Sequence, residues 1–226
     1  MSAIPTSWNR PQHEHPRQKL VLAALKLFAE KGFNGASTRE IVDAAGANIS
    51  AIRYYFGDKA GLYRAAFFEP LADNPCSAGA EMDLALPAPE MLYRFFAEFL
   101  SPLKQGEATR LVMKLHFREM VEPTGVWAQE IETQIKPQVA ALVRMLTHRF
   151  GMVAPDLEVQ RMAFAIIGMA VQYFVGQDIV QSIAPELIAT PEAIDTLAQS
   201  VARYAHAIIE AEVALRRQSP KSGALS

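Results

Sequence analysis

Between Thr38 and Tyr63 the chain reads TREIVDAAGANISAIRYYFGDKAGLY, and Gly46, Asn48 and Gly57 interrupt it three times. Each interruption falls after about two helical turns, so no long helix can run through this span. The preceding "STRE" (Ser37 to Glu40) has the form of a capping box, with Ser37 as N-cap and Glu40 three residues on. A short helix therefore opens at Thr38 and stops at Gly46. A second, "ISAIRYYF", puts Ile49, Ile52 and Phe56 on one side and ends at Gly57. Two short helices joined by a Gly-containing turn form a helix-turn-helix, whose second helix can enter the major groove of DNA.

The flanking sequence is helical too. "RQKLVLAALKLFAEKG" spaces Leu20, Ala24, Leu27 and Phe28 for a helix that Gly32 can cap. Asp58 can cap a fourth helix, "KAGLYRAAFFEPL". Beyond a loose segment holding Pro75, Gly79, Pro87 and Pro89, helical spacing returns in "PEMLYRFFAEFLSPL" and "EATRLVMKLHFREMV". "TGVWAQEIETQIKPQVAALVRMLTHRF" is read as a helix that Pro137 kinks or splits. "DLEVQRMAFAIIGMAVQYFVGQDIV" and "TPEAIDTLAQSVARYAHAIIEAEVALRRQ" complete the pattern, the latter opened by Thr190 and Pro191 as N-cap and first-turn proline.

No alternating strand pattern appears, so the expected fold is all-α. Its expected layout is a flexible arm over 1–16, a helix-turn-helix head over 17–63, a helical effector-binding and dimerisation body over 64–217, and a disordered tail over 218–226.

Composition narrows the function. At 226 residues and 50% hydrophobic content the chain can bury a sizeable core. A single cysteine, Cys76, excludes an intramolecular disulfide framework and fits a reducing compartment. With no apolar run of about 18 residues and no signal-peptide pattern, the reading is a cytoplasmic protein with no membrane partner. Net charge is −2, unevenly spread: residues 1–70 hold nine Lys/Arg and six Asp/Glu (+3), and the rest thirteen and eighteen (−5). A polyanion would therefore meet the head.

On the outer face of the second short helix, Arg53 can make a bidentate contact to guanine, and Asn48 and Ser50 can reach base edges. Tyr54, Tyr55, Thr38 and Lys59 can satisfy phosphates, helped by the helix N-termini, where Ser37 also lies. The competing readings are a plain helical corner, tyrosines that only cover the core, and Lys59 and Arg39 as solvated charges.

"STREIVDAAGANISAIRYYFGDKAGLY", with "LKLFAEKGF" before it, resembles the DNA-binding domain of TetR-family transcriptional regulators. The resemblance implies an all-α homodimer with a three-helix head, a connecting fourth helix and a ligand-binding helical body. It assigns base contacts to Arg39, Ile49, Ser50 and Arg53, and phosphate contacts to Thr38, Tyr55 and Lys59. Arg53 stands where an aromatic residue is usual, which favours guanine over the thymine methyl. "ANISAIRYYFGDKAGLY", together with "VMKLHFREMVEPTGVW", is similar to the CecR-like subgroup, whose regulators are linked to drug and membrane-stress responses.

The body is rich in soft, bulky groups. Phe95, Phe99, Met113, His116, Phe117, Met120, Trp127, Phe164, Met169 and Tyr173 are expected as a set to line an apolar effector pocket, with a packed core as the rival reading for each. His116 and Arg118 are its polar candidates. The last two helices carry Ala163, Ile166, Ile167, Ala170, Val171 and Phe174, and Ala198, Val201, Ala205, Ile208 and Ile209. These faces either pack within one chain or meet a second copy. The resemblance favours the homodimer.

Metal and cofactor sites are not expected: His13 and His15 lie in the arm, His148 and His206 are isolated, and Cys76 has no partner nearby. Catalytic motifs are absent from the sequence. The expected function is a ligand-responsive regulator, a repressor released from a palindromic double-stranded DNA operator by a small lipophilic effector. Its rivals are an activator using the same contacts, and a small-molecule-binding protein or enzyme with a structural head.

Overall fold

The computed structural model describes residues 15–72, 82–105 and 107–218. Expectations for residues 1–14, for Pro75, Cys76 and Gly79, and for 219–226 lie outside the described residues. Among those described there is no strand, and the fold is all-α.

Helix α1 spans Pro16–Gly35 and breaks at Gly32, where φ reaches 74° and Ala36 N–H donates back to the Gly32 carbonyl. Ser37 then caps α2, Thr38–Ala45, through a complete capping box. Gly46 follows in the left-handed region, with φ 60° and ψ 36°. A side chain there costs about 1–2 kcal/mol, which is why the chain can reverse so tightly at this glycine. Asn48 caps α3, Ile49–Phe56. Helix α4 runs over Lys59–Ala72.

At Gly61 the carbonyl of Phe56 comes so close that a β-carbon would lie 1.9 Å from its oxygen. The end of α3 thus rests directly on the first turn of α4. Phe28, Ile41, Ile52, Leu62 and Phe67 are buried together and hold these four helices. Each such side chain contributes roughly 1.5–3 kcal/mol of burial.

Helices α6, Glu107–Val121, and α7, Val126–Glu130, form one compact unit with α1–α4, although both were expected with the body. The reason is the inward face of α6: Val112, Leu115, His116 and Glu119, at helical spacing, are all buried.

The second unit contains α5, Ala88–Phe99, α8, Lys136–Arg149, α9, Leu157–Val175, α10, Gln177–Ile183, and α11, Pro191–Gln218. Leu92, Phe96, Leu142, Ala163, Ile166, Ala198, Ala205 and Ile209 form its interior. Pro137 was expected to kink or split its segment; the helical run instead continues from α7 through a π-helical stretch, Ile131–Ile135, into α8, whose first turn holds the proline. The helix expected through residue 180 instead ends at Gly176, and α9 and α10 bend by 72°. Among the described residues no single helix is long and apolar enough to cross a membrane. The bent pair meets that test only by length and composition, and α9 spends Val159, Met162, Ala163, Ile166 and Ala170 on the interior.

Candidate nucleic-acid interface

The face of α3 is decided by which residues its core claims. Ile52 is 4% exposed, whereas Ile49 is 53% and Tyr54 82% exposed. Ser50 and Arg53 are exposed with them, and so is Arg39 in the first turn of α2. Neither Arg39 nor Arg53 forms an ion pair with any described residue. The structure therefore brings Ile49, Ser50, Arg53 and Tyr54 together on one outward surface.

The remaining residues of the set are more committed. Asn48 Oδ1 accepts hydrogen bonds from the Ser50 backbone N–H and hydroxyl, both at 3.0 Å, which leaves its amide nitrogen to reach outward. Ser37 Oγ accepts from Glu40 N–H at 3.1 Å and donates to Glu40 Oε2 at 2.8 Å. Lys31, 2.6 Å from Glu40, together with Ser37, holds that carboxyl down at about 2.

Thr38 is half-buried. Tyr55 packs partly on the head's core, edge-on to Tyr54 and His15. Lys59 Nζ sits 4.7 Å from the Phe33 ring centroid, a cation–π contact inside the head. For Tyr55 and Lys59 a structural role thus accompanies any phosphate contact.

Helix α6 is tied to the head by polar groups. Tyr63 of α4 donates to Glu119 Oε1 at 2.6 Å, and Thr124 N–H donates to Glu119 Oε2 at 3.0 Å. Burial, then the Glu119 contact, raises the Tyr63 hydroxyl above the ordinary tyrosine range, so it stays a donor. Arg118 Nη1 reaches the Glu30 carbonyl at 3.4 Å, and its Nε pairs with Glu122 at 3.2 Å. Tyr63, Glu119 and Glu130 escaped the sequence reading. The signal was present in Glu119, a charge in phase with Val112, Leu115 and His116.

The expected effector residues divide between the two units. In the first, His116 is buried and stacks 3.8 Å from Phe67, while Met113, Phe117 and Trp127 are half-buried and Met120 is 48% exposed. In the second, Phe95 is buried, Phe99 meets Phe174 edge-on at 5.9 Å, and Met169 and Tyr173 are half-buried. Phe164 is 66% exposed, pointing away from that unit's interior. A shallow pocket of about 220 Å³ in the second unit is lined by Pro89, Tyr93, Gln199, Ala202, Arg203 and His206, and by none of the expected residues.

The faces named for dimerisation are largely interior: Ala163, Ile166, Ala170, Phe174, Ala198, Val201, Ala205 and Ile209 are buried within the chain. The same helices also expose Leu157, Phe164 and Val175 on α9 and, on α11, Tyr204, Leu215 and Ile208, the last of which belongs to the face named from the sequence.

Comparison with known proteins agrees with this geometry. Residues 20–66 match the family described as bacterial regulatory proteins, tetR family. Residues 88–212 match the C-terminal domain of the HTH-type transcriptional dual regulator CecR. The HTH-type transcriptional dual regulator CecR of Shigella flexneri is 33% identical over 177 residues, covering 73% of this chain and 78% of that protein.

Among solved structures, the TetR-family regulator PfmR of Thermus thermophilus superposes with a TM-score of 0.59 at 17% identity, over 82% of this chain and 96% of its own. FadR of Bacillus subtilis, solved in complex with stearoyl-CoA, gives 0.57 at 19%, over 83% and 96%. The exposed helix-turn-helix, the matched head and the matched body lead to one assignment: the chain belongs to the TetR family of bacterial transcriptional regulators and carries a CecR-type C-terminal domain.

Proposed function

We propose that the chain works in the cytoplasm as a homodimeric repressor that leaves a palindromic operator when a lipophilic effector binds its body. The observation that carries this is the outward face of α3, where Ser50, Arg53 and Tyr54 are exposed beside a buried Ile52. Arg39, Asn48, Ile49, Ser50 and Arg53 read bases, and Ser37, Thr38, Tyr54, Tyr55 and Lys59 meet phosphates.

One two-turn recognition helix buries too little for a specific affinity of about 10⁻⁸ M or better, so two heads must act about 34–36 Å apart. The exposed stripe of Leu157, Phe164, Val175, Tyr204, Ile208 and Leu215 supports pairing through α9 and α11. An effector shifts the operator equilibrium only by its different affinity for the two states of the dimer. Abundant Met and aromatic residues favour a lipophilic effector, and the fold of FadR accommodates stearoyl-CoA.

Fluorescence anisotropy with DNA from upstream of the protein's own gene tests the reading. Salt-dependent binding at least a thousandfold tighter than to random duplex is expected; equal affinity for both would overturn it. Native mass spectrometry of freshly purified protein looks for the effector. The Shigella flexneri relative is a dual regulator, so activation from the same contacts is the second reading. Transcription in vitro from the bound promoter, with and without protein, separates the two.

A further inference from the structure

His116 Nδ1 lies 2.9 Å from the Val112 carbonyl, one turn back on α6. A carbonyl only accepts, so Nδ1 carries the hydrogen, and in the neutral ring Nε2 keeps a bare lone pair. That nitrogen is buried and has no hydrogen-bond partner among the described residues. The acidic group facing it is Glu130 Oε1, at 3.7 Å, in a side chain that is itself buried. Phe67 covers one face of the ring at 3.8 Å, so the imidazole cannot turn away cheaply. With Glu130 ionised, two acceptors confront each other in a low-dielectric interior and no hydrogen lies between them. A single proton satisfies both.

We propose that His116 and Glu130 hold one shared proton, resident on the Glu130 carboxyl and donated to His116 Nε2, and that this proton pins α7 to α6. Helix α7 runs on directly into the π-helical stretch Ile131–Ile135, and Glu130, its last residue, is the one that meets α6 through His116. Loss of the proton sets a carboxylate against the lone pair and releases α7.

The other charged groups nearby have partners of their own, although Glu119 still favours the protonated His116 ring. On α6 and α4, Glu119 is occupied by the Tyr63 hydroxyl and the Thr124 N–H. Arg118 is turned to Glu122 and to the α1 carbonyl of Glu30. Towards α1, Arg17 pairs with Glu69 and Lys31 with Glu40.

Burial raises the Glu130 carboxyl and lowers His116 to about 4, the latter opposed by the Val112 bond and by Glu119, so of the two groups the carboxyl is the one that keeps the proton to higher pH. The two act on opposite flanks. The Glu130 contribution to stability is present below the ordinary carboxyl range and is lost as pH rises through its raised value. The His116 contribution is present above about 6.5 and is lost as pH falls towards about 4.

Full-length protein labelled with ¹⁵N-histidine, which carries five histidines, tests the proposal by ring nitrogen shifts from about pH 5 to about pH 9. The His116 ring is expected to carry hydrogen on Nδ1 alone, with an Nε2 resonance that titrates as Glu130 ionises. In Glu130→Gln, whose carboxamide donates at every pH, that titration is expected to vanish. Deuterium uptake by the α7 amides, corrected for intrinsic base catalysis, should rise with the same midpoint in the wild type and stay flat in the variant.

Hydrogen on Nε2, a pH-independent Nε2 shift in the wild type, or equal behaviour in both proteins overturns the proposal. Should Glu130→Gln not fold, the wild-type titration and uptake decide. None of these measurements uses DNA, so their failure leaves the operator reading untouched.

Discussion

The Tyr63 hydroxyl donates to Glu119 Oε1 across 2.6 Å, joining α4 to α6 through one buried hydrogen bond. Glu119 is fully buried and relies on this donor and the Thr124 N–H. Tyr63→Phe leaves the carboxyl half-satisfied and should destabilise the protein by about 1–3 kcal/mol. Urea unfolding of the two proteins measures it. An unchanged midpoint would show that Glu119 finds another partner.

Arg53 and Lys59 should separate base reading from phosphate binding. Arg53→Ala is expected to weaken operator affinity by about 1–3 kcal/mol and to relax base choice at one position per half-site. Lys59→Ala should weaken all sequences alike and reduce the salt slope by about one. It should also lower head stability by about 0.5–1 kcal/mol through the lost Phe33 contact. Anisotropy titrations at several salt concentrations, against a panel of single-base operator variants, check both.

Gly61 and Gly46 differ in what a methyl group would meet. At Gly46 there is open space, so Gly46→Ala should cost only the left-handed backbone penalty, about 1–2 kcal/mol. At Gly61 the methyl collides with the Phe56 carbonyl at 1.9 Å, and backbone cannot step aside as a side chain can. Gly61→Ala should therefore destabilise the head more than Gly46→Ala and also shift α3, lowering operator affinity. Thermal unfolding followed by circular dichroism gives the order. The reverse order would contradict this packing.

Phe164 on α9 and Ile208 on α11 are exposed at 66% and 40%. The double substitution Phe164→Glu and Ile208→Glu should leave helical content unchanged and turn a dimer into a monomer in sedimentation velocity. Specific operator affinity should fall with it, because each half-site then binds alone. A variant that sediments as the wild type does would move the interface elsewhere.

Much of the head was legible before any coordinates. The capping box at Ser37 and Glu40, the break at Gly46 and the start of α3 at Asn48 each follow from local chemistry within a few residues. Periodicity places Ile52 inside, but it also groups Ile49 with it, and the structure leaves Ile49 53% exposed on the outward face. Thr190 as the cap of α11 belongs to the same class of short-range information.

The body was less legible because apolar spacing says that a face is buried without saying by what. Ala163, Ile166, Ala198 and Ala205 have the small-and-apolar pattern of an interface, and the chain's own helices cover them. Phe164 has the pattern of a core residue, and it points outward. The π-helical stretch at Ile131–Ile135 and the bend at Gly176 depend on packing that no local rule encodes.

By itself, then, the sequence determined the helices, their caps and the surface that α3 presents, since these rest on hydrogen bonds and sterics spanning a turn or two. Only the tertiary structure decided that α6 packs in one unit with α1–α4, that Tyr63 meets Glu119 from 56 positions away, and that the His116 lone pair faces the Glu130 carboxyl. Those pairings bring together groups on separate helices, and side-chain packing rather than local propensity selects which of them meet.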